Sequence, residues 1–399
     1  CIASAAEIKK RTYIIVPEQY SHMHEAILAR RLGVFGAEGP CVMSFNQLAR
    51  DILKTADGAA SPHIDRGGKT MLLCDIINKE TKNLTLLAGR DTDRARAVRA
   101  LISEMKRYGI SAEALKNAAD KERPSLLKSK LSETALIYGK FEEALSGRFI
   151  NSDDNLTRAA LYLQSRGFDC GGVYLNAFAS FTPSELSFIK TLMTLGTDIT
   201  VTLEAHENEC DSAHFLPLSK TRAALLAAAR ETGTAVLPSE ALPERARQTK
   251  EMAFLAEKYF DYSSQPYKDE PCDIEIFEAR TPYTEAVHAA SRILRLCREE
   301  NYAMRDIGII CGNTDLYAPY IKSVFSKYDI PVFTDLKLPL SEHPAGAFIV
   351  SALDVITSGY SRTAVFRYAK SGFTDTDIAE TDILENYVLA AGIRGDAWK

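Results

Sequence analysis

Short runs of β-branched and aliphatic residues, each followed by a stretch with helical spacing, open the chain. The run 12–16, Thr-Tyr-Ile-Ile-Val, stops at Pro17 as a buried parallel strand typically does. Apolar positions with helical spacing follow over 21–32. A second apolar run over 42–45 leads into another helical stretch that ends at Leu53. This order predicts strand, helix, strand and helix.

The same alternation returns in the middle of the chain, where the runs 172–175 and 198–203 have strand character. Between them, Thr182 is followed by a proline and then by Glu185, which is the pattern of a capped helix start. Two strands joined by a crossover helix run in the same direction, because a tight turn can only reverse the chain. The sequence therefore predicts an α/β fold with a parallel sheet.

A long stretch over about 66–165 separates these two groups of strands and has almost no strand character. Its clearest helical patterns are Met71–Lys79, Ala95–Tyr108 and Glu133–Leu145. We expect a large all-helical insertion here.

The last third of the chain again alternates strand-like and helical patterns, which predicts a second α/β unit. The predicted strands are 273–277, 306–310 and 330–333. The predicted helices are 284–299 and 317–327, and further helical patterns follow His343.

The segment Gly67-Gly68-Lys69-Thr70 has the ending of a phosphate-binding loop, but not the rest of that motif. The full pattern needs a glycine at position 63, where His63 stands, and it needs a buried strand directly before the loop. Residues 59–66 have no strand character. We expect a glycine turn that opens the helix 69–79, and no phosphate site.

The composition is that of an ordinary globular protein, with 46% hydrophobic and 25% charged residues and a net charge of −5. Free-standing DNA-binding proteins are more often basic, because phosphate neutralisation drives their affinity. Any DNA contact is therefore expected in a local groove. No apolar run approaches the roughly 18 residues of a membrane span, and the first residues lack the order of a signal peptide. We expect a cytoplasmic location without membrane contact.

Eight cysteines lie far apart and form no C-x-x-C pair; they are Cys1, Cys41, Cys74, Cys170, Cys210, Cys272, Cys297 and Cys311. This spacing argues against a zinc ribbon, a disulfide framework or an iron–sulfur cluster ligated within this chain. His22 and His24 lie two positions apart on a predicted helix, so their side chains point about 200° apart. We expect no metal site and no cofactor in this chain.

Several stretches form a recognisable set, in the same order along the whole chain. They are Y-I-I-V-P-E-Q-Y-S (13–21), V-M-S-F-N-Q-L-A-R-D-I-L (42–53), V-Y-L-N-A-F-A-S-F-T-P-S-E (173–185), Y-D-I-P-V-F-T-D (328–335), A-V-F-R-Y-A-K-S-G (364–372) and L-E-N-Y-V-L-A-A-G-I-R-G (384–395). Together they resemble AddB-type subunits, the second subunits of bacterial AddAB helicase–nucleases.

The resemblance implies a superfamily 1 helicase fold, with two RecA-like halves that carry helical insertions. The first RecA-like domain is then expected over 1–265, with its insertion over about 66–165, and the second begins over 266–399. The chain is expected to be a piece of a longer protein, cut at both ends. The nuclease domain with its 4Fe–4S cluster, and the loop that would bind ATP and Mg²⁺, would lie outside it. The implied partners are single-stranded DNA from a duplex end and an AddA-type helicase–nuclease subunit, which would complete a heterodimer.

The positions where a motor of this fold carries its catalytic groups have lost them. Carboxylates are needed after the strand 172–175, one to hold Mg²⁺ and one to position the attacking water, but Asn176 and Ala177 stand there. An arginine for the γ-phosphate is expected just after 306–310, where Gly312 lies instead. These losses predict that this half does not hydrolyse ATP.

The resemblance also implies which residues hold and recognise single-stranded DNA; they are Gln19, Ser21, Phe45, Gln47, Arg50, Phe178 and Phe181. They follow predicted strands at the ends where ligands collect in open parallel sheets. Aromatic rings stack on unpaired bases, and amides hydrogen-bond to base edges. Gln47 stands where the family pattern has arginine and Arg50 where it has tryptophan. The family's recognition of the recombination hotspot Chi is therefore expected to be altered or lost.

Each of these residues also has a purely structural interpretation. Phe45 and Phe181 adjoin apolar strands and are equally suited to the core, and Gln19 and Ser21 are equally suited to cap the helix that follows them. A basic set on the helical insertion fits either phosphate contacts or a solvated helix face; its members are Arg94, Arg96, Arg99, Lys106 and Arg107.

The sequence leaves three hypotheses about the function open. The leading hypothesis is a motor-inactive, DNA-binding subunit of a helicase–nuclease complex, which scans single-stranded DNA for a Chi-like sequence during repair of double-strand breaks. The second is an active ATP-dependent helicase subunit whose phosphate loop lies outside the chain. The third is an α/β enzyme acting on a nucleotide sugar or similar ligand, which would need clustered titratable residues at strand ends.

Overall fold

In the computed structural model the described residues are 11–32, 40–56, 62–89, 92–203, 216–240, 249–259, 264–334, 340 and 343–398. The chain divides between Pro271 and Cys272 into two compact units. Within the described ranges, no helix is both long and apolar enough to cross a bilayer.

The first unit contains short strands and longer helices in alternation. Its strands are β1 (Thr12–Ile15), β2 (Cys41–Met43), β3 (His63–Ile64), β4 (Ile150–Asn151), β5 (Gly172–Leu175) and β6 (Ile199–Val201). Its helices are α1 (Ser21–Leu32), α2 (Phe45–Ala56), α3 (Arg66–Lys79), α4 (Thr92–Arg107), α5 (Ala112–Lys121), α6 (Leu126–Leu145), α7 (Asn155–Arg166), α8 (Pro183–Thr194), α9 (Leu216–Thr232) and α10 (Lys250–Lys258).

Four strands form one sheet in the order β2-β1-β5-β6, and every neighbouring pair is parallel. The register places Ile14 between Val42 and Tyr174. The predicted α/β fold with a parallel sheet is therefore confirmed. The predicted strand over 42–45 is shorter than expected, because Phe45 already belongs to α2.

The core of the sheet is built from alternating strand residues and from one face of each covering helix. Helices α2, α7 and α8 pack around it, and α2 contacts α7 directly. Its most deeply buried members include Ile15, Leu48, Val173, Leu175, Phe188, Ile189 and Leu192. Burying one such side chain completely contributes about 1.5–3 kcal/mol relative to leaving it in water.

Helices α3 to α6 form a second core of their own, and we call them the helical cluster (residues 66–145). Its fully buried side chains include Leu73, Ile77, Ile102, Ile137 and Phe141. The predicted insertion is not entirely helical, because β3 and β4 pair in parallel beside it. Helix α7 contributes Leu156 and Leu163 to the core of the sheet.

Among its described residues the second unit contains helices joined by irregular segments, and no paired strand. Its helices are α11 (Pro282–Glu299), α12 (Thr314–Lys327), α13 (Pro344–Thr357), α14 (Arg362–Ala369) and α15 (Ile378–Ala391). Helices α11 and α12 pack against each other, and Ala290, Ile293, Val324 and Phe325 form the core between them.

The prediction of strands at 273–277, 306–310 and 330–333 is wrong for this structure. These residues are extended or irregular, and none of them pairs with another strand among the described residues. Ile276, Ile310 and Phe333 are at least nine-tenths exposed. A strand needs a neighbour for its backbone N–H and C=O groups, and apolar composition alone does not supply one.

Candidate nucleic-acid interface

The carboxyl ends of the four parallel strands meet at one edge of the sheet, which we call the C-terminal edge. Backbone hydrogen bonds fix the segments that leave it: Val16 donates to the Met43 carbonyl at 3.0 Å, and Asn176 donates to the Ile15 carbonyl at 3.0 Å. The predicted DNA-binding residues of the first unit follow β1, β2 and β5, so the fold does gather these segments at one edge.

Four phenylalanines form an aromatic cluster behind this edge. The Phe45 ring centroid lies 5.5 Å from that of Phe178, 6.2 Å from that of Phe181 and 6.2 Å from that of Phe188. Phe45 is only 3% exposed. In this structure Phe45 thus belongs to the core of the sheet, and its contact with DNA stays a prediction.

Phe178 and Phe181 lie nearer the surface, with their ring centroids 5.0 Å apart. Phe178 is 9% exposed, and Phe181 is half-buried at the margin of the core. The half-buried Phe181 ring leaves area for stacking on a ligand, whereas Phe178 supports it from below.

Two adjoining clefts open at the C-terminal edge. The first, of about 300 Å³, is lined by Val16, Pro17, Glu18, Ser44, Phe45, Asn46, Phe178, Ser180 and Glu185. The second, of about 330 Å³, is lined by Ser180, Phe181, Leu186, Pro217, Lys220, Thr221 and Ala224. Ser180 lines both, so the two clefts are neighbours on one surface. Each has the volume of a small-ligand site.

Gln19 and Ser21 follow β1 but differ in what their side chains do. Gln19 lies exposed in the short 3-10 helix Glu18–Tyr20. The Ser21 hydroxyl donates to the Glu18 carbonyl at 2.9 Å, which is a local bond at the start of α1. Ser21 thus makes a local contact with the preceding turn, but it donates to a carbonyl and does not accept from an N–H group of α1 as an N-cap would. Gln19 remains accessible to a ligand.

Gln47 completes a capping box at the start of α2. Its side-chain oxygen accepts from the Ser44 backbone N–H at 2.7 Å, and its own N–H donates to the Ser44 hydroxyl at 3.3 Å. This cap also explains why α2 begins at Phe45. Arg50, one turn further on, is exposed, and its Nε donates weakly to the Asn46 carbonyl at 3.4 Å.

Replacing Gln47 with alanine is expected to lower the free energy of unfolding by about 1 kcal/mol, because the buried Ser44 N–H loses its acceptor. Gln47→Glu keeps an acceptor oxygen in the same place and should stay within about 0.5 kcal/mol of the native chain. Urea unfolding followed by circular dichroism measures both. Equal losses in the two variants would show that the capping box contributes little.

Asn176 lies at the end of β5 and uses its whole amide in neutral hydrogen bonds. Its Nδ2 donates to His24 Nε2 at 3.1 Å, and its Oδ1 accepts from the Thr202 hydroxyl. His24 Nδ1 lies 3.0 Å from the Tyr20 carbonyl, which makes Nδ1 the protonated nitrogen and Nε2 the acceptor. An aspartate carboxylate here would have no N–H group to donate to Nε2, so these contacts suit an amide.

Ala177, the second position where the motor pattern has a carboxylate, has a left-handed backbone with φ of 63°. It is exposed, and its methyl group offers no hydrogen bond. Gly312 lies in the second unit, in the exposed segment before α12, where the neighbouring Asn313 side chain caps the helix by accepting from the Leu316 N–H at 3.1 Å.

The segment Gly67–Thr70 is not a phosphate loop. It lies inside α3, which begins at Arg66, because the Asp65 carboxylate caps the helix by accepting from the Gly68 N–H at 2.7 Å. The expected glycine turn is thus the first turn of the helix itself. The Lys69 ammonium is buried and lies 3.0 Å from Asp153 Oδ2. A carboxylate therefore occupies the helix N-terminus, and the lysine is committed to an ion pair.

Two members of the basic set on the helical insertion already form ion pairs within the protein. Lys106 is buried between α4 and its neighbours and forms ion pairs with Asp154 at 2.7 Å and Glu142 at 2.8 Å. Arg96 pairs with Asp93 at 2.7 Å on the surface of the same helix. At these two positions the basic set stabilises the cluster; a phosphate contact by Arg94, Arg99 or Arg107 stays a prediction.

Sequence reasoning singled out Phe181 but missed the other residues of the second cleft. Lys220 and Pro217 belong to α9, an alanine-rich helix whose spacing gives no sign of a site, and the packing of α9 beside residues 178–182 brings them to the edge. Ser180 lies in a stretch where only the phenylalanines suggest a ligand. Glu185 is predicted from sequence only as a helix cap, and it also lines the first cleft.

Comparisons with known proteins agree with the resemblance seen in the sequence. A family model described as "ADDB, N-terminal" matches residues 2–256. The relative from Acetivibrio thermocellus is 33% identical over 399 residues, covering 96% of this chain and 35% of its own length. The relative from Caldanaerobacter subterraneus is 31% identical over 396 residues, with 97% and 34% covered, and that from Clostridium novyi is 30% identical over 400, with 98% and 35% covered. Each is named as the B-type subunit of an ATP-dependent helicase/deoxyribonuclease, and the chain spans about a third of their length.

Proposed function

This chain belongs to the AddB N-terminal family, and from that premise we propose that it holds single-stranded DNA at the C-terminal edge without driving strand movement itself. The observation that carries the proposal is the pair of adjoining clefts at the carboxyl ends of the parallel strands. A half-buried ring, an exposed amide and hydroxyl groups lie around them. These are the groups that bind unpaired bases through stacking and base-edge hydrogen bonds.

Three observations support a motor-inactive role. Asn176 is held as an amide by His24 and Thr202, so it is not poised to ligate Mg²⁺ as a carboxylate would. Ala177 has no group to orient a water molecule. Lys69, in the segment that resembles a phosphate loop, pairs with Asp153. The alternative of an active motor would need all of these groups from elsewhere.

The wider assignment follows from the relatives, whose name describes a subunit of an ATP-dependent helicase/deoxyribonuclease. We extend the proposal to a cytoplasmic heterodimer with an AddA-type helicase–nuclease subunit, which processes double-strand breaks for recombinational repair. ATP with Mg²⁺ and a 4Fe–4S cluster would be bound outside this chain. The third hypothesis, a nucleotide-sugar enzyme, is not what we propose, since the carboxylate of Glu185 at this edge is engaged in the capping box of α8.

Within the edge, the proposal assigns base recognition to Gln19 and stacking to Phe181, with Arg50 available for a phosphate or a base edge. Ser21 and Gln47 support these residues through local hydrogen bonds, and Phe45 and Phe178 do so through ring packing. We propose that the scanned sequence is Chi-like, with a preference set by this chain's own Gln19 and Arg50.

Replacing Gln19 with alanine is expected to abolish sequence-dependent stopping, because the exposed amide is the group best placed to hydrogen-bond a base edge. The full-length subunit, reconstituted with its motor partner, would degrade a long duplex while the stop positions are mapped. The native complex should stop at a recurrent short sequence, and the Gln19→Ala complex should pass through it.

The matched control is Gln164→Ala, which removes an exposed glutamine from α7 and should leave the stops unchanged. If native and Gln19→Ala complexes degrade DNA alike and neither stops at preferred positions, the recognition role is lost and the chain serves as a scaffold.

A further inference from the structure

We propose that the second cleft, between residues 178–182 and α9, binds one further nucleotide of the single strand, with Lys220 contacting its phosphate and Phe181 its base. This inference rests on the proposed function and adds Lys220, which no sequence pattern indicated, to the predicted residue Phe181. The occupant is a nucleotide within a DNA strand, which leaves the first cleft and continues past Ser180 into the second.

The walls of the second cleft are fixed relative to each other before any ligand binds. The Thr221 hydroxyl on α9 is buried and lies 2.9 Å from the Ala179 carbonyl and 2.9 Å from the Pro217 carbonyl, so its one proton is shared between them. The contact with Ala179 ties α9 to the segment that carries Phe181. A preformed site loses little freedom when it binds, which favours affinity.

The Phe181 ring is held on two sides and is half-buried overall. It packs edge-to-face on Phe45, with ring centroids 6.2 Å apart, and tilted on Phe178 at 5.0 Å. Because Phe181 lines the second cleft, the area it leaves uncovered faces that space. A fixed ring with partial exposure is a stacking platform that accepts any base.

The two clefts differ in the charge of the side chains that line them, and this difference determines which part of a nucleotide each cleft accepts. Two carboxylates, Glu18 and Glu185, line the first cleft, and they repel a phosphate but accept hydrogen bonds from amino groups on base edges. Among the described residues, the second cleft is lined by a lysine and by no acidic side chain. Lys220 is exposed at its rim, where an ammonium group attracts a backbone phosphate and still contacts water.

Binding of a fluorescein-labelled oligodeoxythymidine of about ten nucleotides, followed by anisotropy, tests the subsite in the whole chain. The salt concentration would be varied from about 50 to 200 mM. Lys220→Gln is expected to weaken binding severalfold at low salt and to reduce the slope of log affinity against log salt by about 0.7, the value for one phosphate of a single strand. Phe181→Leu keeps an apolar side chain and should weaken binding about tenfold through lost stacking, with the slope unchanged.

Lys140→Gln is the matched control, since it removes one exposed positive charge from α6 and should change neither affinity nor slope. Because Lys220 is exposed, its variant stays informative even if Phe181→Leu disturbs packing.

If the native chain binds the oligonucleotide and both variants bind it equally well, the subsite is overturned and the proposed function stands. If the native chain binds no oligonucleotide, the subsite and the proposed function are both overturned. If deoxyadenosine monophosphate competes as well as the oligonucleotide, the occupant is a free nucleotide, and the strand assignment is overturned.

Discussion

Replacing Lys69 with alanine is expected to lower the free energy of unfolding by about 3–5 kcal/mol, because the change leaves a partly buried carboxylate without its cation. The Lys69 side chain is 5% exposed, and its ammonium lies 3.0 Å from Asp153 Oδ2 and 3.4 Å from the Ser152 hydroxyl. Asp153 also accepts from the Ser103 hydroxyl at 2.8 Å. Urea unfolding followed by circular dichroism at neutral pH measures the loss.

The matched control lies on the same helix. Lys79→Ala removes an exposed lysine that pairs with Asp75 across one helical turn, and it should cost no more than about 0.5 kcal/mol. A lysine that served a phosphate loop would behave differently, since its loss would abolish nucleotide binding and leave stability nearly unchanged. If Lys69→Ala proves as stable as Lys79→Ala, the buried pair contributes nothing.

The stability contributed by the pair of Lys69 and Asp153 depends on pH through the pKa of Asp153. Burial raises the pKa of its carboxyl, but the positive charge of Lys69 and the hydrogen bonds from Ser103 and Lys69 outweigh burial and hold the pKa below its ordinary value. A depressed folded pKa contributes stability that is complete above the unfolded pKa of about 4 and is lost as the pH falls through the lower folded value. The difference in stability between the native chain and Lys69→Ala should therefore shrink below about pH 4.

Replacing Glu133 with glutamine is expected to lower the free energy of unfolding by about 3 kcal/mol, because several hydrogen bonds to one charged acceptor weaken together. The buried carboxylate accepts from the backbone N–H groups of Thr85, Leu86 and Leu87 at 2.8–3.1 Å, and from the Thr85 hydroxyl at 2.5 Å. A glutamine offers one oxygen, and its NH₂ group would face N–H donors.

Hydrogen exchange gives this prediction a local measurement. The amides of Thr85, Leu86 and Leu87 should exchange faster in Glu133→Gln than in the native chain at the same pH. Glu143→Gln, which removes an exposed carboxylate from the same helix, should leave their exchange unchanged. Unchanged protection of the three amides in Glu133→Gln would show that the carboxylate does not hold this segment.

The stability contributed by Glu133 also depends on pH, in a direction that follows from its pKa. Burial raises the pKa of Glu133, but the hydrogen bonds from the Thr85 hydroxyl and from the backbone of residues 85–87 outweigh burial, so the pKa lies below its ordinary value. The stability that this carboxylate contributes is complete above the unfolded pKa of about 4.3 and is lost as the pH falls through the folded value. The gap between native chain and Glu133→Gln should close over that range.

The sheet could be predicted because its signals are local. The run Thr12–Ile15 is β-branched and ends before a proline, and Thr182 with Glu185 marks a helix start within four residues. The separation of Lys69 from any phosphate role was predicted from His63 at the first glycine position of the motif. The prediction that residues 59–66 contain no strand is wrong, because β3 (His63–Ile64) lies directly before the helix. The ion pair of Lys69 with Asp153, more than eighty positions away, could not be predicted, because helical spacing does not say which polar residues of two helices will meet.

The site was harder to predict than the fold, for the same reason. Phe45 has one sequence environment whether it stacks on a base or fills the core, and only the structure shows the rings that pack around it. The pattern Ser44-x-x-Gln47 is a capping box that the sequence already contains, and the sequence interpretation missed it because position 45 was assigned to a strand. The second cleft depends on where α9 packs, and no pattern within α9 contains that information.

The left-handed backbone at Ala177 has a consequence for how this family member can evolve. Any residue with a Cβ atom carries roughly 1–2 kcal/mol of strain at that φ, and alanine already carries it, so a larger side chain there would add little backbone strain. An aspartate at Asn176, by contrast, would replace the amide that donates to His24 Nε2. The backbone therefore tolerates a change at Ala177 more readily than the side-chain network tolerates one at Asn176. Of these two neighbouring positions, Ala177 can vary without loss of a contact and Asn176 is held by its partners.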